Sequence, residues 1–186
     1  MEALTSLRNS ESRYGVLPML LHWGMALLII GLAALGLYMV SLPDAGYDRE
    51  KITLIVVHKA FGMLALALVA LRLAWRLVDM LPRGVEGAPI WQQVAAHVMH
   101  LLLYALMLAV PLTGWIMSSM GGYPLSFFGW FEVPDVVAEN EALFPFFIEL
   151  HAWLAWTLVA LVAVHVVAAL RHHFVIRDAS LRRMLP

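Results

Sequence analysis

Eight histidines stand in a chain of 186 residues that is 62% hydrophobic and contains no cysteine. An ionisable side chain at membrane depth is costly, and it marks a functional site by default. Imidazole changes charge near neutral pH and is the commonest metal ligand among side chains. Without cysteine there is no disulfide, no iron–sulfur cluster, no thiolate metal site and no C-x-x-C-H sequence for covalent haem attachment. Any redox centre in this chain must be held by histidine.

The spacing of the histidines sorts them into two levels. His151 and His165 are separated by fourteen residues. That is close to four helical turns, so both leave one helix on nearly the same face, about 21 Å apart. Counted from the helix ends, His58 shares the outer depth with His151, whereas His22, His97, His100 and His165 share the inner depth. A haem held between two imidazoles needs them on facing helices at equal depth, and the sequence supplies two such pairs. Arg72 follows His58 by the same interval, which puts its guanidinium at the inner depth, where it can clamp a haem propionate. One turn beyond His22, His58, His151 and His165 stand Ala26, Gly62, Ala155 and Ala169, small residues that leave room for a macrocycle. Glycine and alanine also serve close packing in membrane helices, and one membrane histidine can simply hydrogen-bond to a neighbouring helix. A further reading makes the chain a haem-free scaffold or a transporter using the imidazoles for zinc or copper; against the metal, no Asp, Glu or Cys joins them deep in the spans. His172 and His173, beside Arg171, read first as a solvated basic tail.

The elements that position these residues are long apolar runs. Mean hydropathy is +0.82 and charged residues are only 13%, gathered between the runs, as a bilayer solvent requires. The runs predict an all-α membrane protein, one four-helix transmembrane bundle over residues 1–186, with helices at about 16–42, 52–76, 91–119 and 143–172. Helix 3 should bend at Pro111. The first run is too long for a signal-peptide core and lacks a small-residue cleavage site, so it is expected to remain. The loop from Met120 to about Ala142 carries Phe127, Phe128, Trp130 and Phe131 and is expected on the membrane surface. Arg8, Arg13, Arg72, Arg76, Arg83, Arg171, Arg177, Arg182 and Arg183 fall on one side, against Arg49, Lys51 and Lys59 on the other, so both termini should be cytoplasmic. A net charge of −1 argues against a nucleic-acid partner.

His22-Trp23, His58 with Gly62, Leu71-Arg72-Leu73 to Arg76-Leu77, Ala96-His97 through His100, Tyr104 and Pro111, His151, His165, and the ending His172-His173, Arg177-Asp178, Leu181, Arg183, Met184, Pro186 together resemble the bacterial cytochrome b561 family, including its superoxide oxidase branch. The resemblance covers nearly the whole chain. It implies a multi-pass protein of the bacterial inner membrane, in contact with lipid, with two non-covalent b haems. The outer one would sit on His58 and His151, the inner one on His22 and His165. His100 then either replaces an inner ligand or, as the preferred reading, contacts ubiquinone at a cytoplasmic-side site with His172 and Arg72. Lys59, next to His58, would help to collect superoxide or another small periplasmic donor. The outer loops are nevertheless net acidic, through Asp44, Asp48, Glu50, Glu132, Asp135, Glu139 and Glu141, which suits an anionic donor poorly. The same wire can also run backwards, from quinol to a periplasmic acceptor. Oligomeric state is not legible.

Overall fold

A computed structural model describes residues 7–43, 48–84 and 87–185. Asp44 and Gly46 of the first loop and the terminal Pro186 lie outside the described residues. Four helices follow in order: α1 (Val16–Ser41), α2 (Arg49–Val78), α3 (Ile90–Met120) and α4 (Phe144–Arg171). Each is long and apolar enough to cross a membrane, since about 20 residues at 1.5 Å each span the hydrocarbon layer. Large apolar residues such as Leu20, Leu27 and Val40 on α1 are exposed. A helix that is apolar all round is at home in lipid rather than water.

The helix ends differ from the apolar runs where local chemistry extends them. α2 begins at Arg49 rather than Ile52, because the Asp48 carboxylate caps it, accepting from the backbone N–H groups of Glu50 at 2.9 Å and Lys51 at 3.4 Å. It continues to Val78, and Asp79 beyond its end takes the Trp75 indole N–H at 3.1 Å. Pro145 opens α4, where a missing N–H costs nothing. α4 then passes into one π turn, His172–Ile176, stopped by Arg177 in the left-handed region at φ 61°. Apolar periodicity gives no sign of that turn.

Between α3 and α4 the aromatic segment forms a small antiparallel hairpin, β1 (Leu125–Phe127) with β2 (Phe131–Val133). Phe127 and Phe131 face each other across it with ring centres 5.2 Å apart, and Phe128 meets Phe61 of α2 edge-on at 5.0 Å. The hairpin therefore lies against α2.

Packing runs α1 on α2, α2 on α3 and α3 on α4; among the described residues α4 forms no comparable interface with α1 or α2. Both termini come to one face, as an even number of crossings requires. There Asn9 bonds to Asp79 and to the Met80 carbonyl, Glu11 pairs with Arg83, and Arg183 donates to the Arg83 carbonyl. Trp23 Nε1 donates to the Met184 carbonyl at 2.7 Å and Arg13 to the Leu185 carbonyl at 2.8 Å.

Candidate functional site

The histidines of the loop-side level come from α2 and α4, two helices that form no extensive interface among the described residues. His58 and His151 face each other with ring centres 6.3 Å apart and planes at 82°. His151 Nδ1 lies 3.0 Å from the Val110 carbonyl and 3.3 Å from Thr113 Oγ1. Thr113 itself donates to the Ala109 and Val110 carbonyls. A proton on Nδ1 shared with Val110 leaves Nε2 of His151 free as a ligand, the arrangement usual for a metal-binding imidazole. His58 Nδ1 is buried and has no hydrogen-bond partner among the described residues.

The second level, nearer the termini, repeats the geometry between α1 and α4, again a pair without close helix packing. His22 and His165 have ring centres 6.3 Å apart at 71°. His100 of α3 also approaches His165, at 5.7 Å and 64°. Arg72 Nη2 lies 3.2 Å from His22 Nδ1, and the guanidinium groups of Arg72 and Arg76 lie over the Tyr104 ring at 5.6 and 5.8 Å. His100 is exposed, whereas His22, His58, His151 and His165 are half-buried. His97 takes no part in this cluster; its Nδ1 is 2.7 Å from the Gln93 carbonyl of its own helix.

Two glycines that sequence reasoning passed over complete the loop-side level. A Cβ on Gly36 of α1 would stand 3.5 Å from His58 Cε1 and 4.0 Å from its Nδ1. One on Gly114 of α3 would stand 3.1 Å from His151 Cε1 and 3.3 Å from its Nδ1. The signal for them was present: His22 to Gly36, His58 to Arg72, His100 to Gly114 and His151 to His165 are all fourteen residues apart. Each helix thus presents one residue to each level on one face. The termini-side level reads His22, Arg72, His100, His165, and the loop-side level reads Gly36, His58, Gly114, His151. Gly62, expected to leave space, has nothing within 4 Å of a built Cβ, and the same holds for Gly24 and Gly31.

These donor sets fit haem iron. A metal–imidazole bond of about 2 Å, with about 1.1 Å from that nitrogen to the ring centre, puts two axial imidazoles roughly 6 Å apart centre to centre. Both pairs match at 6.3 Å. Among the described residues no three His, Asp or Glu side chains converge to hold a metal ion, so a zinc or copper site with the usual three or four protein ligands has no donor set there.

Residues 13–186 match the family model of prokaryotic cytochrome b561. Cytochrome b561 homolog 2 of Escherichia coli K12 is 38% identical over 182 residues, covering 97% of this chain and 95% of that protein. The chain belongs to the prokaryotic cytochrome b561 family. Two relatives also match along nearly their whole length: the probable superoxide oxidase CybB of Yersinia pestis at 27% identity (95% of this chain, 97% of that protein) and a cytochrome b562 of Cereibacter sphaeroides at 29% (95% and 98%). As a b561 cytochrome the chain is a haem-binding, multi-pass protein of the inner membrane whose business is electron transfer across that membrane.

Around the two histidine levels this b561 cytochrome holds its remaining candidate residues in place by hydrogen bonds. Lys59 Nζ donates to the Pro124 carbonyl at 2.9 Å and the Tyr123 carbonyl at 3.3 Å, pinning the start of the hairpin to α2 beside His58. His172 Nδ1 lies 2.5 Å from Asp178 Oδ2, and Asp178 Oδ1 accepts from the Ser180 N–H at 2.8 Å. The tail is therefore an ordered turn around His172 rather than the solvated run its composition suggested. Burial pushes the Asp178 carboxyl up, but the hydrogen bonds from His172 and Ser180 outweigh it and hold the group below the usual carboxylate range. A depressed folded-state value stabilises the turn above the unfolded value of about 3.9 and is lost as pH falls through the folded value. Hydrogen exchange over residues 172–185, taken relative to the intrinsic rate at each pH, should accordingly stay slow at neutral pH and rise only in strong acid. In an Asp178→Ala variant it should be fast at neutral pH as well; protection unchanged in that variant would remove Asp178 from this role.

Proposed function

We propose that the chain carries electrons through two b haems, each held by two histidines, taking them from superoxide on the periplasmic side and delivering them to ubiquinone near the cytoplasmic side. The observation that carries this reading is the equal 6.3 Å separation of two imidazole pairs at two levels. His58 and His151 would hold the outer group, His22 and His165 the inner one. Bound haem supplies one-electron chemistry between ferric and ferrous iron at each level. The protein contributes ligation, spacing and electrostatics.

Arg72 carries only N–H donors, so in its contact with His22 the Nδ1 atom accepts. Ligation through Nε2 needs the opposite tautomer, with the proton on Nδ1. That change releases Arg72, which with Arg76 can neutralise propionate carboxylates at the inner level. His100 is exposed beside His165 and suits contact with a quinone arriving through lipid better than ligation. Ubiquinone reduction consumes protons, and His172, steadied by Asp178, is the residue to hand one on at the terminal face. The termini are cytoplasmic by the distribution of Arg and Lys. The superoxide assignment draws on the family resemblance, on the relative from Yersinia pestis and on Lys59 beside His58. The chain would thus be a quinone-linked oxidoreductase.

The reverse direction, quinol to a periplasmic acceptor, is favoured by one observation: two Lys59 hydrogen bonds are already committed to carbonyls on a face that also carries Glu132, Asp135, Glu139 and Glu141. Rapid mixing of the oxidised, haem-loaded protein separates the two. Superoxide should reduce the haems within the mixing experiment, with transfer onward to added ubiquinone. A haem spectrum that stays oxidised with superoxide but is reduced by ubiquinol establishes the reverse direction.

A further inference from the structure

The two outer histidines are placed alike but bonded differently. Each turns its Cε1–Nδ1 edge toward a glycine of a flanking helix: His58 toward Gly36 of α1, His151 toward Gly114 of α3. On α3 that edge meets an acceptor, the Val110 carbonyl at 3.0 Å, with the Thr113 hydroxyl close by at 3.3 Å. On α1 it meets none, and among the described residues His58 Nδ1 stays buried and unpartnered. The two turns also differ in sequence. From Gly31 to Gly36 helix α1 reads Gly-Leu-Ala-Ala-Leu-Gly, with no hydroxyl side chain, whereas α3 has Pro111 and Thr113 in the corresponding turn.

We infer that Gly36 tunes the outer haem: by offering no acceptor to His58 Nδ1–H it keeps that ligand a weak donor, in deliberate contrast to His151. An imidazole whose second nitrogen donates to a carbonyl is a more basic ligand and stabilises ferric iron. A ligand denied that bond does less so, and the site holds an electron more tightly. Such a site suits an entry point for electrons coming from outside. The inference rests on the proposed ligation of the outer haem by His58 and His151.

The test compares Gly36→Ser with Gly36→Ala. The Cβ of either meets His58 at ordinary contact distance, 3.5 Å from Cε1. Only serine adds an oxygen, one bond beyond a Cβ that is 4.0 Å from Nδ1 and so within hydrogen-bond reach. Redox titration should show the outer haem of Gly36→Ser binding its electron about tenfold less tightly, a fall of about 59 mV for a one-electron couple. Gly36→Ala should stay close to wild type, and the inner haem should not move in either variant. The outer couple is assigned as the one missing from His151→Ala. Pulsed EPR of the ferric wild-type protein supplies a readout that needs no variant at Gly36: the two remote imidazole nitrogens of the outer haem should be inequivalent, one hydrogen-bonded and one not. Equivalent nitrogens, or a Gly36→Ser protein with intact haem and an unshifted outer couple, overturn the inference and leave the ligation standing. A wild-type spectrum without a bis-imidazole signal that His151→Ala removes overturns the ligation itself, and the inference with it.

Discussion

Replacing His151 with alanine is expected to cut bound haem from about two per chain to about one, leaving the low-spin spectrum of the remaining group intact. Among the described residues His151 is the only histidine whose ring faces His58, and its orientation is fixed by the Val110 carbonyl and Thr113. Among the described residues the other two positions at that level are Gly36 and Gly114, which have no side chain to take its place. The termini-side level is fourteen residues along the helix, about 21 Å away, too far to feel the change directly. The reduced-minus-oxidised spectrum should lose about half its amplitude, and electron flow between the two faces should stop. His100→Ala is the informative companion. It should keep both haems and impair only quinone turnover, because His165 retains His22. Full haem content in His151→Ala, or loss of one haem in His100→Ala, would show that the histidines are paired differently.

Replacing Gly114 with leucine should also empty the outer level, although it removes no ligand and improves local helix propensity. In an exposed helix the change from glycine gains roughly 0.8–1 kcal/mol. Here even a Cβ would sit 3.1 Å from His151 Cε1 and 3.3 Å from Nδ1, closer than most side-chain contacts, so the ring must already give slightly, and leucine adds three more carbons behind it. The ring must swing away from α3, breaking its bond to Val110 and leaving the 6.3 Å separation from His58. Haem analysis should therefore show about one group per chain in a protein that still folds and still holds its inner haem. Gly114→Ala should be intermediate, with outer haem present but more easily lost. A Gly114→Leu protein with both haems and an unaltered spectrum would mean that the glycine is there for helix packing alone.

Not all of the molecule was equally legible. Bilayer physics writes itself into composition, so four spans, their order and the convergence of both termini on one face follow from apolar runs and the charges between them. The depth of each histidine follows as well, because a helix advances a fixed distance per residue. The hairpin at Leu125–Val133 was not visible, since strands of three residues have no periodicity to detect and its aromatics read equally well as a membrane-surface loop. The earlier start of α2 depended on a single side-chain cap at Asp48. The sequence likewise gave no sign that the Lys59 ammonium donates to two carbonyls at the start of the hairpin, which come from 64 and 65 residues away.

The sequence by itself determined the class of the protein, the absence of thiolate chemistry and the two histidine levels, because these depend on composition and on the helical repeat. Only the tertiary structure decided which neighbour each ring meets: His22 and His100 both near His165, His58 facing His151, a carbonyl accepting from His151, and, among the described residues, no hydrogen-bond partner for His58 Nδ1. Those facts depend on the rotation of each helix about its own axis and on which helices stand adjacent. Side chains from distant parts of the chain set both, and no local pattern encodes them.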